Sequence, residues 1–197
     1  MGLSDNLGKV FEKVGTQIEI VGSLPLVKEF IDTAQNTQVS NPFIREHFIE
    51  GTFKAKTKIK PGDILRFIKS NSHYLVVNFS NESFRNDSVC INATLYKCNA
   101  QVTLQRLTKG VKDPDTRERS DVWVDVTTLW LPFTSSLRGS TSQLEDDQSF
   151  VQYSVASKAL YVPKYVGVKV DDRARLADGT VYKVTNPEDF RFDGLLS

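Results

Sequence analysis

Two stretches of the chain repeat one pattern. Residues 62–84 read GDILRFIKSNSHYLVVNFSNESF and residues 170–192 read VDDRARLADGTVYKVTNPEDFRF, and they align without a gap. In each, a turn leads into a strand, a tight turn at Asn71 or Gly179 follows, and an aromatic residue opens the return strand. Duplication and convergence on a common hairpin explain this similarity equally well. Either origin predicts that both ends of the β region use one hairpin unit, as small SH3-like barrels do. The aligned identities are Asp63/Asp171, Tyr74/Tyr182, Val76/Val184, Asn78/Asn186 and Phe84/Phe192.

The remainder of the chain is dominated by short alternating segments separated by turn residues. This pattern predicts an all-β sandwich or barrel. We therefore expect a mainly β protein, with an SH3-like or sandwich-type barrel over residues 42–197 and long loops. Strands are predicted at residues 16–21, 52–59, 63–69, 73–79, 88–97, 100–108, 121–130, 150–155, 159–162, 166–170, 173–176 and 180–185.

Residues 1–41 are predicted to form an N-terminal helical segment with two short helices. An apolar stripe at helical spacing predicts a helix over residues 3–14, and Gly15 suits its end. Pro25 suits the first turn of a second helix over residues 25–34. The stripe packs either on the chain's own domain or on a neighbouring subunit; its members are Leu3, Leu7, Val10, Phe11 and Val14.

Two polar segments are predicted to be loops. Residues 109–120, KGVKDPDTRERS, separate two alternating strands and contain Pro114, which predicts a projecting hairpin tip. Residues 134–149 are rich in Ser, Thr, Gln and Asp, which predicts a mobile loop or a segment that becomes ordered on a partner.

Composition excludes several classes of protein. The chain has 197 residues, of which 40% are hydrophobic, so wholesale disorder is excluded. Its 25 Lys and Arg nearly balance 24 Asp and Glu, which argues against a dedicated nucleic-acid-binding protein. No apolar run approaches the roughly 18 residues that a membrane-spanning helix needs. Cys90 and Cys98 are too few for a disulfide framework, and we expect buried free thiols.

No pattern of catalytic or metal-binding residues is recognisable. The two histidines, His47 and His73, lack the further ligands at defined spacing that a zinc site needs. The sequence also lacks a nucleophile elbow, a phosphate-binding Walker loop and a dinucleotide-binding glycine motif. We therefore expect a protein that is not an enzyme and has no cofactor and no metal.

Three groups of residues are candidates for contacts with partners. Trp123 and Trp130 lie seven residues apart, so a regular strand would place them on opposite faces and leave at least one available for an interface. The C-terminal apolar residues either fold back on the barrel or enter a groove of a neighbouring subunit; they are Phe190, Phe192, Leu195 and Leu196. One face of the predicted strand 52–59 is basic, and it is either a solvated face or a wall along a DNA channel; its residues are Lys54, Lys56 and Lys58.

The C-terminal stretch VGVKVDDRARLADGTVYKVTNPEDFRFDG resembles the closing part of neck proteins of tailed bacteriophages, the head–tail connector or head-completion proteins. These neck proteins share a sequence phrase, or motif, with a Gly or Asp, a charged pair, an apolar residue and then the run DG-x-x-Y-x-V. Residues 59–80, IKPGDILRFIKSNSHYLVVNFS, resemble the same phrase. Here the phrase is carried by Asp171, Asp172, Arg173, Leu176, Asp178, Gly179, Tyr182 and Val184.

The resemblance implies a structural virion protein, a ring-forming neck subunit that joins portal to tail around the DNA channel. Its implied partners are copies of itself, portal or adaptor and tail proteins, and genome DNA that passes without sequence recognition. No membrane is implied, and the implied location is the virion, after synthesis in the host cytoplasm. A tail terminator or baseplate subunit is the alternative. A carbohydrate-binding or nucleic-acid-binding β-domain is a further alternative from another class.

Overall fold

The computed structural model describes residues 3–23, 27–35, 47–84, 87–112, 119–135, 158–187 and 195–196. This part of the chain is mainly β, as predicted. It has one α-helix, α1 (Leu3–Val14), and a 3-10 turn at Lys164–Val166. Its strands are β1 (Thr16–Ile20), β2 (Lys28–Gln35), β3 (Phe48–Lys54), β4 (Ile64–Phe67), β5 (His73–Phe84), β6 (Asp87–Lys97), β7 (Ala100–Lys112), β8 (Arg119–Leu131), β9 (Phe133–Ser135), β10 (Lys158–Leu160), β11 (Val162–Pro163), β12 (Arg173–Leu176), β13 (Val181–Lys183) and β14 (Leu195–Leu196).

Six strands close into an antiparallel barrel in the order β1-β2-β3-β6-β5-β4. Apolar residues at alternate positions of these strands fill the barrel interior, because successive side chains of a strand point to opposite faces. Each of the six strands contributes a side chain that is completely or almost completely buried there; they are Ile18, Ile31, Phe53, Leu65, Val76 and Leu95. Gly51 lies in the same wall, where a Cβ atom would collide with the Ile31 side chain.

The prediction of a second N-terminal helix is wrong. Lys28–Gln35 form β2, which pairs with β1 on one side and β3 on the other. Ile31 points into the barrel, and the buried Glu29 carboxylate accepts hydrogen bonds from the Thr57 hydroxyl at 2.6 Å and the Lys58 N–H at 2.8 Å. Pairing on both sides therefore overrides the local helical pattern. The proposed boundary near residue 41 lies outside the described residues, and strands on both sides of it belong to this barrel.

A second, four-stranded sheet in the order β13-β12-β7-β8 packs against the outside of β4 and β5. Ile64, Leu75 and Val77 point away from the barrel interior and form a core with this sheet. The first half of β5 is consequently buried on both faces, which explains the unbroken apolar run Leu75-Val76-Val77. The sheet contributes Val102, Leu104, Leu131 and Ala174 to this second core.

The sequence repeat corresponds to a repeated structural unit. Asp63 and Asp172 each accept a hydrogen bond from the N–H three residues earlier, at Lys60 (2.7 Å) and Lys169 (2.8 Å). In both units the residue before this aspartate has a positive φ, 90° at Gly62 and 71° at Asp171. Each unit therefore opens with the same carboxylate-closed turn.

The structure corrects the gapless alignment of the two units. Asp63 corresponds to Asp172 and not to Asp171, since its carbonyl accepts from the Val76 N–H and that of Asp172 accepts from the Val184 N–H, both at 2.9 Å. The difference of one residue lies in the hairpin turn. The turn of the first unit is closed by Phe67 N–H to Ser72 O, and the shorter turn of the second by Leu176 N–H to Thr180 O.

The remaining short strands form two small pairs, β9 with β10 and β11 with β14. The predicted strand at 166–170 is wrong, because a 3-10 turn occupies Lys164–Val166 and ends at Gly167 in the left-handed conformation. The predicted strand at 150–155 and most of the predicted loop at 134–149 lie outside the described residues.

Candidate assembly interface

The longest hairpin of the described chain, β7 with β8, extends beyond the body of the protein. β12 pairs with β7 only from Val102 to Gln105, so residues 106–112 and 119–124 continue as a two-stranded ribbon, which we call the arm. Of the predicted tip at 109–120, residues 109–112 and 119–120 belong to the paired strands, and residues 113–118 lie outside the described residues. An isolated two-stranded ribbon is at best marginally stable in water, so the arm depends on its attachment to the sheet.

Apolar side chains of the arm are exposed on both of its faces. Val122 and Val124 are 46% and 48% exposed on the face that carries Thr108 and Arg106, and Leu107 is 45% exposed on the other face. Large exposed apolar residues that lie next to one another mark interaction surfaces more often than they occur by chance. The arm thus combines reach with a surface suited to binding another protein.

Ion pairing holds the root of the arm. The Arg106 guanidinium donates to both oxygens of the buried Asp172 carboxylate, at 3.0 and 2.8 Å, and to the Gly167 carbonyl at 2.7 Å. Burial by itself raises the pKa of Asp172, but hydrogen bonds from Arg106 and the Lys169 N–H outweigh it, so the pKa lies below its ordinary value. The carboxylate is therefore ionised at neutral pH and orients the arm against the repeated turn.

The prediction that Trp123 and Trp130 lie on opposite faces of one strand is wrong. Trp123 pairs with Leu107 and Trp130 with Gln101, and these partners lie on the same face of the regular strand β7. A bulge at Val126 adds one residue to β8 and reverses the alternation between the two tryptophans.

Both tryptophans contact residues of their own chain. The Arg173 guanidinium lies 3.6 Å from the centre of the Trp123 ring, and His73 stacks on Trp130 at 5.2 Å with 10° between the planes. Trp130 remains 39% exposed, so its outer surface is available to a partner. A role of Trp123 and Trp130 in an interface with a partner stays a prediction.

The N-terminal helix α1 packs on its own barrel through Phe11, which is buried. The Gly15 N–H donates to the Phe11 carbonyl at 2.8 Å where the helix ends. Val10 and Val14 are exposed, so part of the apolar stripe faces solvent. The positions of the Leu3 and Leu7 side chains lie outside the described part of the structure.

At the C-terminus, Leu195–Leu196 form β14, whose backbone pairs with Val162–Pro163 of the same chain. The backbone of Leu195 and Leu196 therefore folds back on its own chain, which is the first of the two alternatives for the C-terminal residues. Phe190 and Phe192 lie outside the described residues.

The three candidate channel lysines do not lie on one strand. Strand β3 ends at Lys54, and Lys56 lies in the following turn. Lys58 lies in the loop after this turn, where its own N–H donates to the Glu29 carboxylate. All three side chains are exposed. A channel-facing role for them stays a prediction.

A cleft of about 340 Å³ lies where the barrel meets the second sheet, between Ser23, Asp63, Leu129 and Tyr165. Burial raises the pKa of Asp63, although the Lys60 N–H and charge oppose this shift. Among the described residues that line the cleft, no histidine, thiol or second carboxylate lies beside Asp63. The cleft therefore offers packing space and no reactive pair.

Both cysteine thiols lie in surroundings that disfavour the reactive thiolate form. Cys90 and Cys98 are free and buried, as predicted, and burial first of all raises their pKa values to about 11 and about 12. Burial and the nearby Arg66 charge lower the pKa of His73. The described residues contain no group of three or more His, Cys, Asp or Glu that could hold a metal ion.

Sequence reasoning missed Arg106, the residue that holds the root of the arm. The one available signal for Arg106 is its position as a charged residue within the alternating segment VTLQRL, at a site that faces the core side of the sheet. Its partner lies 66 residues further along the chain, so the sequence pattern does not reveal the pair.

The chain matches no protein-family model, no functionally characterised protein and no solved structure. Among the described residues, no helix has the length and apolar character needed to cross a membrane.

Proposed function

We propose that this protein is a structural subunit of a tailed-phage virion that forms a ring in the neck and joins portal to tail around the DNA channel. The observation that carries the proposal is the arm, a projecting ribbon with exposed Leu107, Val122 and Val124 and a root held by Arg106. Copies of the subunit, portal or adaptor proteins and tail proteins are its proposed partners, and it acts in the virion without catalysis, cofactor or membrane.

The architecture supports this proposal in two further ways. The first hairpin unit lies in the wall of the closed barrel and the second lies in the neighbouring sheet, which supports the SH3-like assignment that we infer from the repeated hairpin. The two stretches that resemble phage neck proteins coincide with these two units. Each unit opens with the carboxylate-closed turn, at Asp63 or at Asp172. The proposed mechanism is mechanical: bodies pack side by side, and projecting segments bind the next layer and become more ordered.

Deletion of the coding region from the phage tests the proposal. We expect DNA-filled heads and normal-length tails that remain separate, and joining after addition of the purified protein. Tails of uncontrolled length would instead support the tail terminator, and missing tails would support the baseplate subunit. Normal infectious particles would contradict all three virion roles.

A variant pair tests whether the arm carries the joining activity. Val122→Ser with Val124→Ser removes exposed apolar surface from the arm, and we expect it to fail in the joining assay while it remains folded. Ile68→Ser removes an apolar residue that is 38% exposed at the β4–β5 turn and serves as the matched control. Equal joining by both variants would contradict a role of the arm.

A further inference from the structure

We propose that the outer edge of β8 in one subunit pairs with the outer edge of β13 in the next copy of this chain, head to tail. This contact rests on the ring assembly proposed above and specifies how its subunits join. Among the described residues, β8 and β13 are the two end strands of the four-stranded sheet, and neither has a partner on its outer side. An unpaired edge presents a row of backbone N–H and C=O groups that an added strand satisfies.

Strand direction favours this head-to-tail contact. All neighbours in the sheet are antiparallel, so β8 and β13, its first and fourth strands, run in opposite directions. A second copy placed beside the first in the same orientation therefore brings its β13 antiparallel to β8. The sheet then continues without a break, and the twist between neighbouring strands turns each copy relative to the last, as a closed ring requires.

Charge complementarity identifies the copy as the occupant. One row across the sheet contains Asp125 on β8, Gln105 on β7, Arg173 on β12 and Lys183 on β13, all on the same face. The sheet is thus acidic at its β8 edge and basic towards its β13 edge. Within one copy Asp125 pairs with Arg175 and Lys183 with Asp171, but both ion pairs are exposed and therefore weak enough to exchange partners. An unstaggered head-to-tail contact places Lys183 of one copy next to Asp125 of the other, and opposite charges on adjacent strands are stabilising.

A two-fold contact between two β8 edges is disfavoured by the same charges. It would bring Asp121 and Asp125 of both copies onto one face, where like charges repel. The head-to-tail contact avoids this repulsion. The contact also extends past Lys183. The backbone of Val184 is still held by the turn at Asp171 and Asp172, so this end of the strand would lie beside the arm of the neighbouring copy.

The test uses Thr128→Cys and Val181→Cys, which lie in the next row of the same face and leave the charged row intact. One variant carries a tag, the two are mixed, and a short bis-maleimide reagent links them. We expect tagged–untagged heterodimers to form at least about tenfold faster than in a control mixture with Lys54→Cys, since docking raises the effective concentration of the thiols. The buried native cysteines need no removal.

Each result separates this contact from its alternatives. Linkage of Thr128→Cys with itself would show a two-fold β8 contact and overturn the proposal. Ring formation by sedimentation without heterodimer linkage would overturn it while leaving the neck function in place. Absence of both self-association and linkage would also overturn it. Failure of the proposed neck function is read separately, from the deletion and joining assay in the phage.

Discussion

Arg106 and Asp172 join the two halves of the second sheet through a bidentate ion pair with distances of 3.0 and 2.8 Å. Asp172 closes the turn that opens the second repeated unit, and Arg106 lies where the arm leaves the sheet. The pair therefore couples the stability of the repeated turn to the orientation of the arm. Within the described part of the chain, the same turn at Asp63 has no arginine among its hydrogen-bond partners, so this coupling distinguishes the second unit from the first.

We expect Asp172→Asn to lower the free energy of unfolding by about 2–3 kcal/mol, because it weakens hydrogen bonds to a charged group and leaves Arg106 without its anion. Urea denaturation measures this change. Asp171→Asn is the matched control, since the ion pair of Asp171 with Lys183 is exposed and its loss should cost less than about 0.5 kcal/mol. Equal losses in both variants would contradict the structural role of Asp172.

Acid should weaken the protein through Asp172. The pKa of this carboxyl in the folded state lies below the ordinary value of 3.8, so its contribution to stability is complete above that value. The contribution is lost as the pH falls through the depressed folded-state pKa. Unfolding measured from neutral pH down to acid should therefore show a steeper loss of stability for the natural protein than for Asp172→Asn. Parallel curves would contradict the assignment.

Two glycine substitutions should have opposite effects, one unfavourable for the arm and one favourable for helix α1. A Cβ atom at Gly110 would collide with the Ser120 carbonyl across the arm, so we expect Gly110→Ala to distort the arm and reduce joining of heads to tails. A Cβ atom at Gly8 in α1 meets open space, so Gly8→Ala should stabilise the protein by up to about 1 kcal/mol. Thermal unfolding and the joining assay measure the two effects. Normal joining by Gly110→Ala would show that the arm tolerates this collision.

The two cysteines should resist thiol reagents while the protein is folded. Their pKa values of about 11 and about 12 keep them protonated at pH 8, and the thiolate is the reactive form. We expect negligible labelling by a maleimide in buffer and labelling of both thiols in urea, read by mass spectrometry. Rapid labelling of folded Cys90 or Cys98 would show that the barrel wall opens on the time scale of the reaction.

Local patterns in the sequence predicted much of the fold. The period of the apolar stripe predicted α1, because a helix places Phe11 and its neighbours on one face. Alternation predicted most strands, and turn residues at Asn71 and Gly179 predicted the two hairpins, where positive φ values of 53° and 88° are observed. The arm was anticipated in part, as a charged segment between two alternating strands. Each of these features depends on residues close together in the chain.

Only the tertiary structure decided the features that depend on distant partners. Strand β2 forms because β1 and β3 satisfy both of its edges, although its residues also fit a helix. The bulge at Val126 places both tryptophans on one face, which no count of residues along the strand reveals. The ion pair of Arg106 with Asp172 and the charged row from Asp125 to Lys183 likewise arise from pairing between strands far apart in the sequence. The sequence by itself determined α1, most of the strands and the two hairpin turns. The closing of the sheets determined which side chains meet, because register is set by pairing and burial together.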